Sequence, residues 1–321
     1  MAYRPQGPQA AFLSRPQLSG GFGGLPQEGK GAVIQKEQRH RMNVSALCQC
    51  LFFPWLFFCA VYALMSCNLH FYRPLLCYGL VGLCSLVVLA VGWLAMGTLS
   101  GRLAATREPS WYMFLFITML IAFVLGVVFG SLNFSANLQQ YYDYANLDVF
   151  YEVSPELTSG TQIMDAGRVH FNKNSTLDVT KSMGFKNVDT YCVAPVSVTT
   201  GGVTKPLETY DFWAVGIGCC SLNTADFHCG EFGNRNAHSG LRLMQDEQRD
   251  FFRLAVQQAE AAYGIKATHP LFFYWVENAT AEMNSFKDDG YKYYLIGMLA
   301  HFSWQSFCVV LAVAGYSKIG Y

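Results

Sequence analysis

The sequence predicts a membrane protein: four transmembrane α-helices with a disulfide-bonded α+β external domain between helices 3 and 4. Two observations support this fold class. Of the 321 residues, 52% are hydrophobic and only 14% are charged, whereas soluble domains carry roughly 25% charged residues. The apolar residues also form blocks. The run from Tyr112 to Leu132 contains no charged residue and no histidine, and at about 1.5 Å per residue it crosses a hydrocarbon core of roughly 30 Å.

The first 42 residues differ in composition from the rest of the chain. They are rich in Gly, Pro and Gln and hold only scattered apolar residues, too few to form a core that offsets chain entropy. We expect residues 1–42 to be a disordered cytosolic tail. No apolar segment precedes residue 44, so the first span must itself direct insertion into the membrane.

Four apolar blocks predict the spans, at about 44–65, 75–96, 112–132 and 293–316. Pro54 should kink the first span because proline lacks an amide proton. The third span carries Ala122, Gly126 and Gly130 at steps of four residues, and small residues at this spacing let a second helix approach closely. That face should pack against another span, and a lateral oligomer through helix 3 is a further hypothesis.

The distribution of basic residues predicts the topology. Excess Lys and Arg mark cytosolic segments, and here they concentrate before the first span, between the second and third, and after the fourth: Arg4, Arg15, Lys30, Lys36, Arg39, Arg41, Arg102, Arg107 and Lys318. Both ends, including the short tail 317–321, should therefore be cytosolic. Residues 133–291 should form a lumenal or extracellular α+β domain.

Periodicity within this external segment predicts strands and one clear helix. β-Branched and aromatic residues favour strands at 168–171, 190–199 and 209–219. Apolar residues at three- and four-residue steps predict an amphipathic helix from Ser239 to Tyr263, with Gly264 as its left-handed cap. The aromatic run 271–275 is interpreted as a buried strand, with an exposed partner-binding patch as the alternative.

Four of the eleven cysteines lie in the external segment: Cys192, Cys219, Cys220 and Cys229. An even set in one soluble segment suggests disulfides and an oxidising compartment. Because a bond between the neighbours Cys219 and Cys220 would be strained, Cys192 should bridge to one of them and Cys229 to the other. The alternative is a metal site formed by Cys219, Cys220 and Cys229 with His228. Asn174 and Asn278 lie in Asn-x-Ser/Thr motifs and are candidate glycosylation sites.

No common catalytic or nucleotide-binding motif appears in the sequence. We assign no catalytic residue, cofactor or metal, and equal numbers of acidic and basic residues argue against a nucleic-acid partner. A membrane-bound enzyme with a site near Asp226, His228 and Glu231 remains an alternative. Within the fourth span, His301 and Gln305 share a helix face and should form interhelical hydrogen bonds.

The arrangement of four spans, a short first external loop and a large cysteine-containing loop with the pair Cys219-Cys220 resembles the tetraspanins. The resemblance implies a membrane scaffold. Tetraspanins carry Cys-Cys-Gly in a helical large loop, whereas Ser221 follows the pair here and the loop is rich in predicted strands. The leading hypothesis is a non-enzymatic multi-pass protein, at the plasma membrane or in a secretory or endosomal membrane, whose external domain binds a protein partner or ligand.

Overall fold

The computed structural model describes residues 44–101 and 109–319, and the predicted tail 1–42 lies outside them. The helices are α1 (Val44–Ser66), α2 (Asn68–Tyr72), α3 (Pro74–Leu99), α4 (Pro109–Asn133), α5 (Gln139–Ala145), α6 (Asp246–Tyr263) and α7 (Ala279–Ile319). The strands are β1 (Asp148–Val153), β2 (Ala166–Phe171), β3 (Ser175–Leu177), β4 (Met183–Asn187), β5 (Asp189–Thr200), β6 (Val203–Thr204), β7 (Phe212–Ile217), β8 (Ser239–Arg242) and β9 (Leu271–Val276).

Four helical segments in the described part of the chain are long and apolar enough to cross a membrane. They are α1, α3, the continuous segment Ser110–Ala145, and α7 up to Tyr316. The predicted set of four apolar helices is therefore confirmed, and these helices imply a lipid bilayer around the protein. The last two segments are longer than a bilayer requires, because each continues into the sheet domain.

The small residues of α4 pack against α1. A Cβ atom built on Gly126 would lie 3.0 Å from Val61 Cβ, and one built on Gly130 would lie 2.4 Å from Met65 Cβ. Ala122, on the same face, is fully buried. Because α1 of the same chain covers this face, a lateral oligomer through the third span, α4, would have to use a different surface of that helix.

Side-chain hydrogen bonds join α1 to α7. Trp55 Nε1 donates to the carbonyl of Met298 at 3.1 Å, and Tyr294 Oη donates to the carbonyl of Cys59 at 3.2 Å. Gln305 Nε2 donates to the carbonyl of Cys50 at 2.6 Å. That carbonyl lies four residues before Pro54, which has no amide proton to donate to it. Gln305 thus donates a hydrogen bond to a carbonyl that cannot receive one from residue 54, because that residue is proline.

The other polar side chain predicted to bond between the spans behaves differently. His301 is buried and stacks on Phe58, with ring centroids 4.1 Å apart. Neither of its ring nitrogens has a hydrogen-bond partner among the described residues. The predicted interhelical hydrogen bond is therefore found for Gln305 and not for His301, whose contact with α1 is a ring stack.

The spans α4 and α7 extend beyond their apolar parts and carry the sheet domain. A single π-helical turn, Phe134–Leu138, joins α4 to α5 without a break. At the base of this extension, Asn133 Nδ2 donates to the carbonyl of Gly290 in α7 at 3.0 Å. At its top, the buried Tyr144 stacks on Phe286 and donates to the carbonyl of Arg242 at 2.8 Å. The two helical extensions therefore contact each other and meet the sheet together near β8.

The domain between α4 and α7 contains a mixed nine-stranded sheet with the order β1-β2-β8-β9-β7-β5-β3, in which β4 and β6 also pair with β5. The pairs β1-β2 and β7-β9 are parallel, and the other pairs are antiparallel. Aromatic and aliphatic side chains fill both faces. This sheet differs from the helical large loop of the tetraspanins that the topology resembles.

Helix α6 covers one face of the sheet, where Phe252 packs with Trp213 and Phe272. It begins at Asp246 and not at Ser239 as the periodicity suggested. Ser239–Arg242 is instead strand β8, because it pairs with β2 and β9, which are distant in sequence. Gly264 has φ +65° and caps the helix as predicted. The run Leu271–Val276 is a buried central strand, which confirms that prediction.

The contact between α1 and α4 yields a test of the packing. Replacing Gly126 with Leu should lower the free energy of unfolding by about 1–3 kcal/mol, because the new side chain overlaps Val61. The matched control is Gly79→Leu in α3, where nothing among the described residues lies within 4 Å of a built Cβ. Thermal unfolding in detergent should show a lower midpoint for the first variant only. Equal midpoints would contradict the close approach of the two helices.

Candidate functional site

The four cysteines of the sheet domain lie together on one face of the sheet. Cys192 is near the start of β5, and its Sγ is 2.05 Å from that of Cys220, just after β7. Cys219 Sγ is 1.91 Å from that of Cys229. Both separations are bonding distances. The structure thus distributes the cysteines in the way the sequence allowed, with Cys192 paired to one of the neighbouring residues and Cys229 to the other.

Two glycines make room for these sulfurs. Gly184 and Gly216 lie on either side of Cys192, in β4 and β7. A Cβ on Gly216 would lie 2.5 Å from Cys229 Cβ, and one on Gly184 would lie 3.0 Å from Cys220 Sγ. Any larger residue would push the loop after β7 off the sheet. The sequence signal for this constraint was a glycine in each of two strands, at a position where glycine weakens a strand unless something approaches closely.

The sulfurs that the structure brings close enough to hold a metal are those of Cys192, Cys219 and Cys229, which lie within 4.8 Å of one another. Each of these sulfurs is also at bonding distance from another cysteine. A sulfur in a disulfide is not a thiolate and does not bind zinc as one. His228 does not join this group, since its Nδ1 lies 2.8 Å from the carbonyl oxygen of Asp226. The geometry therefore favours two disulfides.

The acidic residues of the predicted cluster hold the loop together. The carboxylate of Asp226 accepts hydrogen bonds from the hydroxyl and the amide of Ser221, the latter at 2.6 Å. These bonds lower the pKa of the Asp226 carboxyl. Glu231 accepts a hydrogen bond from the amide of Glu277 at 2.7 Å. The three side chains of Asp226, His228 and Glu231 thus make separate local contacts and do not converge on a common point.

The loop that follows β7 lies where the parallel strands β7 and β9 end. We call this end of the sheet the carboxyl edge. The amide of Gly218, after β7, donates to the carbonyl of Thr190 at 2.8 Å, so the start of β5 lies at this edge too. Helix α7 begins three residues after β9 and leads back to the apolar span. From Ala279 to Tyr293 it rises about 20 Å, so the carboxyl edge lies at the far end of this helix from the bilayer.

Exposed apolar side chains are present at the carboxyl edge. They are Val188 at the β4-β5 turn, Ile217, Leu222 and Phe232. Val188 is 92% exposed and has φ +63°, a conformation that is rare for β-branched residues and strained. The disulfide Cys192–Cys220 anchors the segment that bears Leu222 to the strand that follows Val188. The carboxyl edge therefore exposes apolar side chains on segments that a disulfide holds in place.

A second polar arrangement was not anticipated from the sequence. Ser239 Oγ lies 2.8 Å from His170 Nδ1 and donates to the carbonyl of Glu277 at 3.0 Å. Tyr151 stacks on the other side of His170 at 4.9 Å. Ser239 is only 3% exposed, so its hydroxyl stabilises the junction of β8 with α7 and is not an accessible nucleophile. Only the pairing of β2 with β8 brings these residues together.

The two predicted glycosylation sites differ from Asn133, a third asparagine with the same motif. Asn174 lies in an exposed turn, and Asn278 is exposed before α7. Asn278 Oδ1 accepts hydrogen bonds from the amides of Thr280 and Ala281, which makes it the helix cap. Asn133 is buried and bonded to α7. The side chains of Asn174 and Asn278 have space for a glycan, and that of Asn133 does not.

Comparison of the chain with protein-family models, with curated proteins and with solved structures gives no match. The arguments about function therefore rest on the geometry described above.

The disulfide pairing can be tested with Cys192→Ser. Closing a loop of 28 residues restricts the unfolded chain and should contribute about 3–4 kcal/mol. We expect the variant to become protease-sensitive and to expose one new thiol, on Cys220. The control is Cys84→Ser, which replaces a free cysteine of α3 and should leave the domain resistant. Alkylation of all four external cysteines in the native protein would refute the disulfides and revive the metal site.

The half-buried imidazole of His170 predicts a dependence of stability on pH. Burial, with a contribution from Arg168, lowers the pKa of His170. The folded protein thus resists protonation, while the unfolded chain binds a proton near pH 6.5. Stability from this residue is complete above that pH and is lost as the pH falls below it. Urea unfolding at pH 7.5 and 5.0 should show a smaller loss for His170→Gln than for the wild type. Equal losses would contradict the prediction.

Proposed function

We propose that this chain is a non-enzymatic multi-pass membrane protein whose sheet domain faces the lumen or the cell exterior and binds a protein partner through the carboxyl edge. The four apolar helices anchor the domain in the membrane. The protein would reside in the plasma membrane or in a secretory or endosomal membrane, where disulfides form and persist.

Two independent features support the external placement of the domain. Basic residues flank the spans on the opposite side. The four cysteines of the domain lie at disulfide distance, and disulfides are rare in the cytosol. Seven further cysteines belong to the spans and the segments that join them, and none of them forms a disulfide in the described part of the chain. Both disulfides thus lie in the sheet domain, as expected for an oxidising compartment on that side, where Cys67 of the short loop after α1 would carry a thiol.

The single observation that supports partner binding best is the exposed Val188 on the carboxyl edge. An isolated exposed apolar residue needs no explanation. Val188, however, is exposed, has a strained backbone conformation and precedes a strand that a disulfide joins to the neighbouring loop. Strained backbone is often retained at functional sites. The edge also lies far from the bilayer, where a soluble partner or a domain on another membrane has access.

The enzyme alternative near Asp226, His228 and Glu231 receives less support. The carboxylate of Asp226 accepts hydrogen bonds from Ser221 of its own loop, and that of Glu231 accepts one from the amide of Glu277 after β9. No observation brings the two carboxylates to the distance that acid and base catalysis of one substrate requires. A catalytic role would need these loop contacts to break. We therefore keep partner binding as the conclusion.

The topology predicts N-linked glycans on Asn174 and Asn278. Each of Asn174→Asp and Asn278→Asp should remove one glycan, seen as a shift in mobility that glycosidase treatment abolishes. Aspartate at position 278 preserves the cap of α7, since it offers the same acceptor oxygen. Loss of the glycan can then be separated from loss of the helix. Glycosidase sensitivity that persists in the double variant, or none in the wild type, would contradict the assignment.

The partner surface is tested by Val188→Lys in the full chain. Membrane-impermeant cross-linking on native membranes should join the wild-type chain to a defined neighbour, and the charged variant should lose that complex. The control is Leu157→Lys, because Leu157 is 83% exposed but lies beside Glu156, which pairs with Lys205 beyond the opposite end of β5. A complex that survives Val188→Lys, or is lost equally in both variants, would reject the carboxyl edge as the binding surface.

A further inference from the structure

Each disulfide of the sheet domain joins a buried sulfur to one near the surface. Cys192 and Cys229 are 0% and 3% exposed, whereas their partners Cys220 and Cys219 are half-buried. Cys219 and Cys220 also begin a loop whose next residues, 221–225, are exposed. A thiol from solution therefore reaches the sulfurs of Cys219 and Cys220 before the other two.

The two buried sulfurs lie next to each other, although they are not bonded to each other. The Sγ atoms of Cys192, Cys219 and Cys229 are all within 4.8 Å of one another. Gly216 of β7 is the register partner of Cys192, and a Cβ built on it would lie 2.7 Å from Cys229 Sγ. Because Gly216 has no side chain, Cys229 occupies the space beside Cys192. These two cysteines are thus placed for a bond that the observed pairing does not use.

Thiol–disulfide exchange connects the two pairings. A thiolate forms a bond to one sulfur of a disulfide and releases the other sulfur as a thiolate. Attack on Cys219 releases the Cys229 thiolate, which lies within 4.8 Å of Cys192 Sγ. Attack of this thiolate on Cys192 forms Cys192–Cys229 and releases Cys220. If the first attack is on Cys220, the released Cys192 thiolate attacks Cys229 and releases Cys219, so both routes end with the same bond.

The exposure of the sulfurs favours this outcome over a competing exchange. The Cys192 thiolate also lies within reach of Cys219, but attack there would release Cys229, which is buried. A thiolate is less stable in apolar surroundings than in water, and a less stable thiolate is released more slowly. Cys219 is the more exposed of the two, so the exchange should release Cys219 and retain Cys229 in the bond.

We propose that the four cysteines form a redox switch, in which a thiol reductant converts the two disulfides into the single disulfide Cys192–Cys229 and leaves Cys219 and Cys220 as neighbouring thiols. One reductant thiol forms a mixed disulfide with the loop and a second releases it, so the reductant becomes a disulfide and the domain gains two electrons and two protons. The neighbouring thiols cannot close on each other without strain. The covalent link from β5 to the loop moves from Cys220 to Cys229. The switch does not depend on the proposed partner binding.

Two single variants of the full chain test the exchange without any reductant. Cys219→Ser leaves the Cys229 thiol beside the disulfide Cys192–Cys220, and Cys220→Ser leaves the Cys192 thiol beside Cys219–Cys229. Both variants should contain the disulfide Cys192–Cys229, with one thiol on the remaining neighbour. The chain in detergent is alkylated and digested with pepsin at low pH, where exchange is slow, and mass spectrometry identifies the bond.

The control variant is Cys192→Ser, which removes the sulfur that both routes require. It should keep Cys219–Cys229, with its thiol on Cys220. Retention of the original disulfide in either Cys219→Ser or Cys220→Ser would overturn the proposal. Loss of Cys219–Cys229 in the control would also contradict it, because the pairing would then change without Cys192.

A second measurement on the wild-type chain covers the case in which the serine variants fail to fold. Existing thiols are blocked with N-ethylmaleimide, reduced glutathione is added, and new thiols are labelled with deuterated N-ethylmaleimide. In chains that gain two thiols, the label should lie equally on Cys219 and Cys220 and be absent from Cys192 and Cys229. Label on Cys219 with Cys229, or on Cys220 with Cys192, would show that one disulfide opened without exchange and would reject the switch. Failure to find any chain with two new thiols would reject it as well.

Discussion

Helix α1 determines the arrangement of the molecule, because it contacts both of the helices that carry the sheet domain. Its contact with α4 is a close packing over Gly126 and Gly130. Its contact with α7 is a set of side-chain hydrogen bonds to backbone carbonyls. In the hydrocarbon core of a bilayer, a backbone carbonyl that lacks a protein donor cannot form a hydrogen bond with water instead. The proline in α1 therefore creates a requirement that Gln305 of α7 meets, and this requirement fixes the register between the two helices.

The sheet domain inherits its orientation from these helices. Neither α4-α5 nor α7 is interrupted by a flexible linker before it reaches the sheet. Tyr144 fastens the first helical extension to β8, and Asn278 caps the second directly after β9. A force on the carboxyl edge would pass into α7 through a helix and not through a loop. The disulfides stiffen the same edge, so a partner would meet a surface whose geometry is fixed before binding.

Local sequence patterns predicted the elements whose structure is determined by residues close together in the chain. Runs without charge marked the spans, Gly264 marked the end of α6, and the aromatic run marked β9. The start of α6 was placed too early, because Leu241 and Met244 fit helical spacing as well as a strand. Only pairing with β2 and β9 decides for the strand. The features that the sequence did not predict all depend on how strands that are distant in the chain pair with one another.

The candidate site shows the same limit. The cysteines and the acidic residues near them were visible in the sequence, but their chemistry depended on what lies opposite each side chain. Asp226 faces Ser221 and Glu231 faces the amide of Glu277, so a cluster that resembled a catalytic or metal site acts as loop structure. The exposed apolar edge was not foreseen, since Val188, Ile217 and Phe232 are far apart in the chain and meet only after the sheet forms.

The account depends most on the side of the membrane that the sheet domain occupies. Protease protection in sealed microsomes measures this directly and does not depend on which organelle the protein reaches. The account predicts that trypsin leaves the segment 133–291 intact in sealed vesicles and cuts it only after detergent opens them. Digestion of this segment in sealed vesicles would place the sheet in the cytosol, where disulfides are rare and an external partner could not reach the carboxyl edge.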